Sequence, residues 1–345
     1  MRLVFVTFFF FFLPLCASDP LENIPYVFPN KKTGNGYVDV LYWKPYAPVP
    51  TGLEYTETVL PEVDVAIPSA EKIQKVRPSF HPGFRVGFDW NMPISYWNVG
   101  IEYTRLVAKD EQTFVIEDPD VRFQGIWDTL RIILFSDKSI QNTTEQNSNF
   151  NTLDADLIYD LYEKHFVFRP FIGLGAALIK NDLYPTYRSV DLNINATIEN
   201  RVRLTSNFRG IGLRGGFYSD YAASKWWKFF TKTAFSLLVS RNTFRSNSSF
   251  QLTNDIVGEI SGTSRSNAIR ELGVQSAFFL SLGTSFAYES PCYDRYTSLG
   301  IAYEMSLWPD LLYFQRLQAG SDAPIEYYRN HYGSQGLTIR LLFGF

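Results

Sequence analysis

Three histidines, His81, His165 and His331, are the side chains best suited to acid–base work near neutral pH. Ser79 stands two residues before His81, and Asp64 lies in the same polar stretch, so the parts of a hydrolytic site are present near one another. No spacing ties them together, and Ser, His and Asp are ordinary loop residues, so the expectation is a protein that is not an enzyme. Glycines recur at 173, 175, 210, 212, 215 and 216 with a superficial likeness to phosphate-binding loops. They sit inside β-patterned segments with no helix behind them, so a phosphate cradle lacks its context and a closely packed or bent strand wall accounts for them better. Of the two cysteines, Cys16 and Cys292, the first falls in a leader-like N-terminus. That leaves Cys292 either unpaired or bonded to a neighbour.

The charges that carry a pattern are Asp39, Arg85, Asp89, Glu102, Asp154, Asp156, Asp160, Arg169, Arg214, Lys232, Glu271, Glu304 and Arg340. They stand on one face of segments whose alternate residues are apolar. Phe84, Val86, Phe88 and Trp90 oppose Arg85, Gly87 and Asp89, while Trp97, Val99, Ile101 and Tyr103 oppose Asn98, Gly100 and Glu102. Period two means β-strand. Ten such strands are expected, at about 36–44, 83–90, 97–106, 149–161, 166–179, 207–218, 228–241, 269–287, 296–308 and 334–345. Further hairpins in 120–135 and 186–205 would raise the number to 12 or 14.

The connections alternate in length. Residues 91–96, 162–165, 219–227 and 288–295 are tight, whereas 45–82, 107–148, 180–206, 242–268 and 309–333 are long and polar. A secreted β-sandwich would have short connections at both ends. Short turns on one side and long loops on the other belong to an all-β fold, a transmembrane antiparallel β-barrel. Tyr, Phe and Trp make 17% of a chain of ordinary hydrophobicity, which suits rings placed in lipid and at its interfaces. Trp90, Trp97, Trp226 and Trp227 flank short turns, and Trp43 and Trp308 lie at the opposite strand ends, so the six are expected to form two interfacial girdles.

Residues 1–18 read as a secretion signal, with Arg2, an apolar run and small residues before the cut. Residues 19–35 follow as a short periplasmic segment and 36–345 as the barrel. No other stretch is apolar enough for a membrane helix. With 32 basic and 35 acidic side chains, nucleic acid is not an expected partner. The final strand alternates to Leu341, Phe343 and Phe345 and ends on the short-turn side, so both chain ends are expected in the periplasm.

Five blocks resemble the pore-forming major outer-membrane proteins of the Legionella type and their relatives in chlamydia-like bacteria. They are Pro82–Gly87 with Trp97–Leu106, Arg169–Leu174, Gly210–Gly216, Leu299–Trp308 and Gln335–Thr338. The chain departs at Phe286–Glu289, where that family often carries Trp-Asp. The resemblance implies an abundant outer-membrane barrel of a Gram-negative bacterium with no cofactor. The expected partners are outer-membrane lipid, the assembly machinery that reads a strand such as Leu341–Phe343–Phe345, and small hydrophilic solutes, with assembly into a homo-oligomer left open. If the apolar faces meet lipid, the patterned charges line a water-filled lumen. Carboxylates outnumber bases among them, which leans toward slight cation preference. Asp154, Asp156 and Asp160 stand out because no basic residue interrupts their face. The alternatives are a surface barrel whose long loops bind host or matrix, and a narrow interior plugged by Arg–Asp pairs.

Overall fold

The computed structural model describes residues 34–47, 50–60, 65–92, 96–116, 121–125, 140–163, 165–191, 196–224, 226–254, 258–265, 269–290, 295–316 and 326–344. The expected signal segment, Asp64, Cys292 and Phe345 lie outside them, as do the side chains of Glu271 and of residues 48–73. The described strands are β1 (Gly34–Tyr46), β2 (Pro50–Leu60), β3 (Val65–Lys75), β4 (His81–Asn91), β5 (Trp97–Ile116), β6 (Val121–Gly125), β7 (Ile140–Tyr159) and β8 (Leu161–Glu163). They continue with β9 (Phe166–Asp191), β10 (Ala196–Ala222), β11 (Trp227–Asn254), β12 (Gly258–Arg265), β13 (Ile269–Ser290), β14 (Arg295–Arg316) and β15 (Glu326–Gly344).

Ten of these close a ring in the order β1-β4-β5-β7-β9-β10-β11-β13-β14-β15, and β15 returns to β1. Every neighbour in the ring is antiparallel. All ten expected strands are members. Among the described residues, the segments that suggested extra strands add none to the ring. Val121–Gly125 joins β2 and β3 in a separate three-stranded sheet, and 186–205 falls within the hairpin of β9 and β10. Asn35 pairs with Gly344, so the first and last ring strands meet at the short-turn end.

Parity decides which side chains face out. Val38, Val40, Ile101, Leu174, Ile211, Leu213, Val239, Ile301 and Ile339 are all exposed on the outer wall, as lipid requires. The stretches read as long loops are mostly strand. β9, β10 and β11 have 26, 27 and 28 residues. At roughly 3.3 Å per residue they overshoot an apolar band of about 25 Å even when tilted, so the barrel wall continues beyond the lipid belt. Among these extensions the interior is partly amide and hydroxyl: Asn142 Nδ2 donates to Gln74 Oε1 at 2.9 Å.

One irregularity shapes the extended end. The β14–β15 register shifts between Trp308 and Leu312, and Asp310 adopts a left-handed φ of 52°. The bulge turns both Leu311 and Leu312 inward, where each is buried. His331 Nδ1 holds it by accepting the Asp310 N–H at 3.0 Å.

Glycine is needed where strands crowd. A Cβ at Gly212 would press on the Leu237 carbonyl and come within 2.8 Å of Leu238 Cα. Gly212→Val is therefore expected to reduce the folded fraction, read as the band that changes mobility on boiling in detergent. An undiminished heat-modifiable band would contradict this packing.

Candidate functional site in the barrel interior

Every patterned charge whose side chain is described points into the ring. At mid-height they meet one another. Arg85 on β4 donates Nη1 to Asp39 Oδ2 on β1 at 3.1 Å and to Glu304 Oε1 on β14 at 3.0 Å. Its Nε donates to Thr104 Oγ1 at 3.0 Å and lies 3.5 Å from Glu102. Arg340 on β15 grips Asp39 from the other side with two bonds of 2.8 and 2.7 Å. Lys232 on β11 donates to both Glu102 oxygens on β5, at 3.0 and 2.9 Å, and Tyr37 donates its hydroxyl to Glu102 at 2.6 Å.

β5 and β11 are four steps apart around a ring of ten, so the Lys232–Glu102 contact crosses the lumen. Arg85–Glu304 spans three steps in the other direction. The layer contains three cations, Arg85, Lys232 and Arg340, and three carboxylates, Asp39, Glu102 and Glu304. It is neutral, and Arg85 and Glu304 are only 1% and 2% exposed. Aromatic faces complete its solvation: Arg85 lies 5.3 Å from the Trp43 and Phe279 ring centres, and Lys232 5.1 Å from Tyr218. Burying charge costs several kcal/mol per ion unless partners and hydrogen bonds compensate, and here both do.

The acidic face of β7 does not stay open. Arg214 on β10 reaches across β9 and pairs with Asp154, and with Asp156 at 3.2 Å. The β9 residues lying between them in register are Gly173 and Gly175, whose missing side chains clear the path. The base that interrupts this face comes from two strands away, which is why alternation within β7 could not reveal it. Toward the short turns, Arg169 bonds Asp220 at 2.5 Å, Lys228 lies 3.9 Å from Asp220, and Asp160 accepts from Asn98 and Tyr162 at 2.8 Å each. Asp89 lies opposite Gly100 and lines the same chamber. Arg85 pairs with Asp39 and the glutamates rather than with Asp89, its neighbour two pleats along.

Two cavities flank the ionic layer. The one toward the short turns holds about 140 Å³ and is lined by Asp89, Asp160, Arg169, Asp220, Lys228 and Arg340 among others. The one on the other side holds about 60 Å³, between Arg85, Glu102, Arg214, Phe150 and Trp308. Beyond it the interior turns apolar: Leu41, Trp43, Leu106, Phe150, Leu183, Phe208, Leu238, Phe244, Trp308 and Tyr332 pack as one cluster. Trp308 meets Phe150 and Phe208 edge-on, both at 5.9 Å between ring centres.

A family model described as Legionella pneumophila major outer membrane protein precursor matches residues 29–344. The chain belongs to that family. It is accordingly an outer-membrane β-barrel. Among solved structures it is similar to the outer membrane protease OmpT from Escherichia coli, at 10% identity and a TM-score of 0.41, covering 91% of this chain and 97% of that one. It is also similar to a FadL homologue from Pseudomonas aeruginosa, at 7% identity and a TM-score of 0.24, covering 91% and 90%. No curated protein matches it.

In this family member the tryptophans divide. Trp90, Trp97 and Trp226 are exposed on the outer wall beside short turns, with Trp227 half-buried. Trp97 packs on Tyr159 at 4.9 Å, and Trp227 stacks on Phe286 at 6.1 Å, which builds one aromatic belt. Trp43 and Trp308, expected in a second girdle, instead point inward and are buried. Trp43 shares the face of Asp39 and Leu41, and its Nε1 donates to Thr338 Oγ1 at 3.1 Å. Leu341 and Phe343 are exposed on the outer wall of β15.

The histidines form clamps. His81 Nε2 lies 3.0 Å from both Ser79 Oγ and Asp110 Oδ1, while Ser79 also donates its backbone N–H to Asp110 at 2.8 Å. A relay needs the hydroxyl and the carboxylate on different ring nitrogens, and here both converge on one. His165 lies against Tyr221 in a short turn. Alternation did not single out Tyr37 and Thr338, which donate to Glu102 and Glu304 at 2.6 and 2.7 Å, although they share the parity of Asp39 and Arg340.

Lys232→Met leaves Glu102 buried without its main partner and is expected to cost about 3–5 kcal/mol in urea unfolding from lipid vesicles. Adding Glu102→Gln should restore much of that loss. Equal and additive losses in the two single variants would contradict a direct pair.

Proposed function

We propose that this outer-membrane barrel is closed and works at its extended end, as a structural or adhesive surface protein without catalytic activity. The observation that carries the reading is the buried Lys232–Glu102 and Arg85–Glu304 pairing across the lumen. The apolar cluster stacked on it supports the same reading, because a hydrated path would need that cluster parted as well. The surface role is supported by strands that continue past the lipid belt and by the separate sheet of β2, β3 and β6. In this reading the extended end faces outward, and the short turns and both chain ends face the periplasm. β15 serves as the strand read by the assembly machinery, its outward Leu341 and Phe343 leading to Phe345.

A second reading is passive diffusion of small hydrophilic solutes and ions. The polar chamber of about 140 Å³ favours it. It requires the ionic layer to open, and the excess of carboxylates over bases would then give slight cation preference.

Reconstitution in planar bilayers separates the two. The closed barrel is expected to give no steady conductance while its folded band persists. Steady steps of uniform size would move the conclusion to a porin, and the reversal potential in a salt gradient would then report its ion preference.

A further inference from the structure

On the outer wall of β10 and β11, arginines stand where the run of exposed apolar residues ends. On β10 the exposed Leu213 and Ile211 are followed by Arg209, and on β11 Leu237 and Val239 are followed by Arg241. Ile211 is 62% exposed and Val239 67%, so bare hydrocarbon surface lies directly below both guanidinium groups. Arg209 and Arg241 are partners in the strand register. Like charges directly opposite on neighbouring strands destabilise a sheet. Arg245 stands two pleats further along the same face, opposite Thr205. All three arginines are exposed, and the described residues give none of them an ion-pair partner. The interior treats charge differently, since Arg85, Arg214 and Arg340 are each paired with carboxylates.

We propose that Arg209, Arg241 and Arg245 bind the phosphate-bearing headgroup of a lipid in the leaflet at the extended end, with its acyl chains lying on Ile211, Leu213, Leu237 and Val239. Guanidinium matches phosphate oxygens by paired hydrogen bonds, and a phosphate between Arg209 and Arg241 removes their mutual repulsion. The apolar strip below selects a lipid over a soluble anion. The assignment does not depend on whether the lumen conducts.

The test is native mass spectrometry of the full chain in non-ionic detergent, titrated with a bis-phosphorylated glucosamine lipid, with its phosphate-free counterpart and with inorganic phosphate. The phosphorylated lipid is expected to form a discrete adduct that the other two probes do not form or displace. Replacing all three arginines by glutamine should weaken it about a hundredfold. Replacing them by lysine, which keeps the charge but not the paired hydrogen bonds, should retain only part of the binding. If the triple glutamine variant does not fold, Arg241→Gln alone should still weaken the adduct several-fold. Equal binding of the phosphate-free lipid, unchanged affinity in the glutamine variants, or inorganic phosphate binding as tightly as the lipid would each overturn the proposal.

Discussion

A ring of ten strands leaves an interior narrow enough for side chains from opposite walls to touch, and this constraint organises the molecule. Charges that point inward in so narrow a barrel must find each other or water. Here they find each other. Three cations and three carboxylates meet at mid-height with hydrogen-bond lengths of 2.7–3.1 Å among Arg85, Asp39, Glu304, Lys232, Glu102 and Arg340. Because the layer is neutral and its carboxylates are multiply bonded, burial is tolerable where single charges would not be. The glycines follow from the same constraint: Gly173 and Gly175 give Arg214 its path to β7, and Gly87 makes room for the Tyr37 ring that bonds Glu102.

The outer wall answers a different solvent. Its apolar positions need only face hydrocarbon, so alternation is regular there and the aromatic belt gathers beside the short turns. Away from those turns, on β10 and β11, the exposed apolar strip ends on Arg209 and Arg241 rather than on tryptophan. The two tryptophans that might have formed that ring, Trp43 and Trp308, fill the interior above the ionic layer.

The ring strands were legible because a wall with lipid on one side and packed side chains on the other imposes period two. Charge orientation was legible for the same reason. Pairing was not. Lys232 and Glu102 are 130 residues apart, and nothing local to either names the other. Trp43 and Trp308 differ from the expected girdle because parity outweighs indole chemistry: Trp43 alternates with the exposed Val40 and Tyr42 and shares the face of Asp39. The strand extensions were hidden by composition. Ile140–Tyr159 opens with Asn, Thr, Gln and Ser on both faces, which reads as loop until partner strands supply its hydrogen bonds.

Direct ion pairs bridge the lumen. A ¹⁵N–¹³C dipolar distance between Lys232 Nζ and the Glu102 carboxyl carbon, measured by solid-state NMR in lipid bilayers, tests this bridging without altering a residue. Nζ at 2.9–3.0 Å from both carboxylate oxygens requires a measurable through-space dipolar coupling between the two labels. Absence of coupling, with both side chains exchanging freely with water, would mean an open, hydrated lumen and no bridging pair.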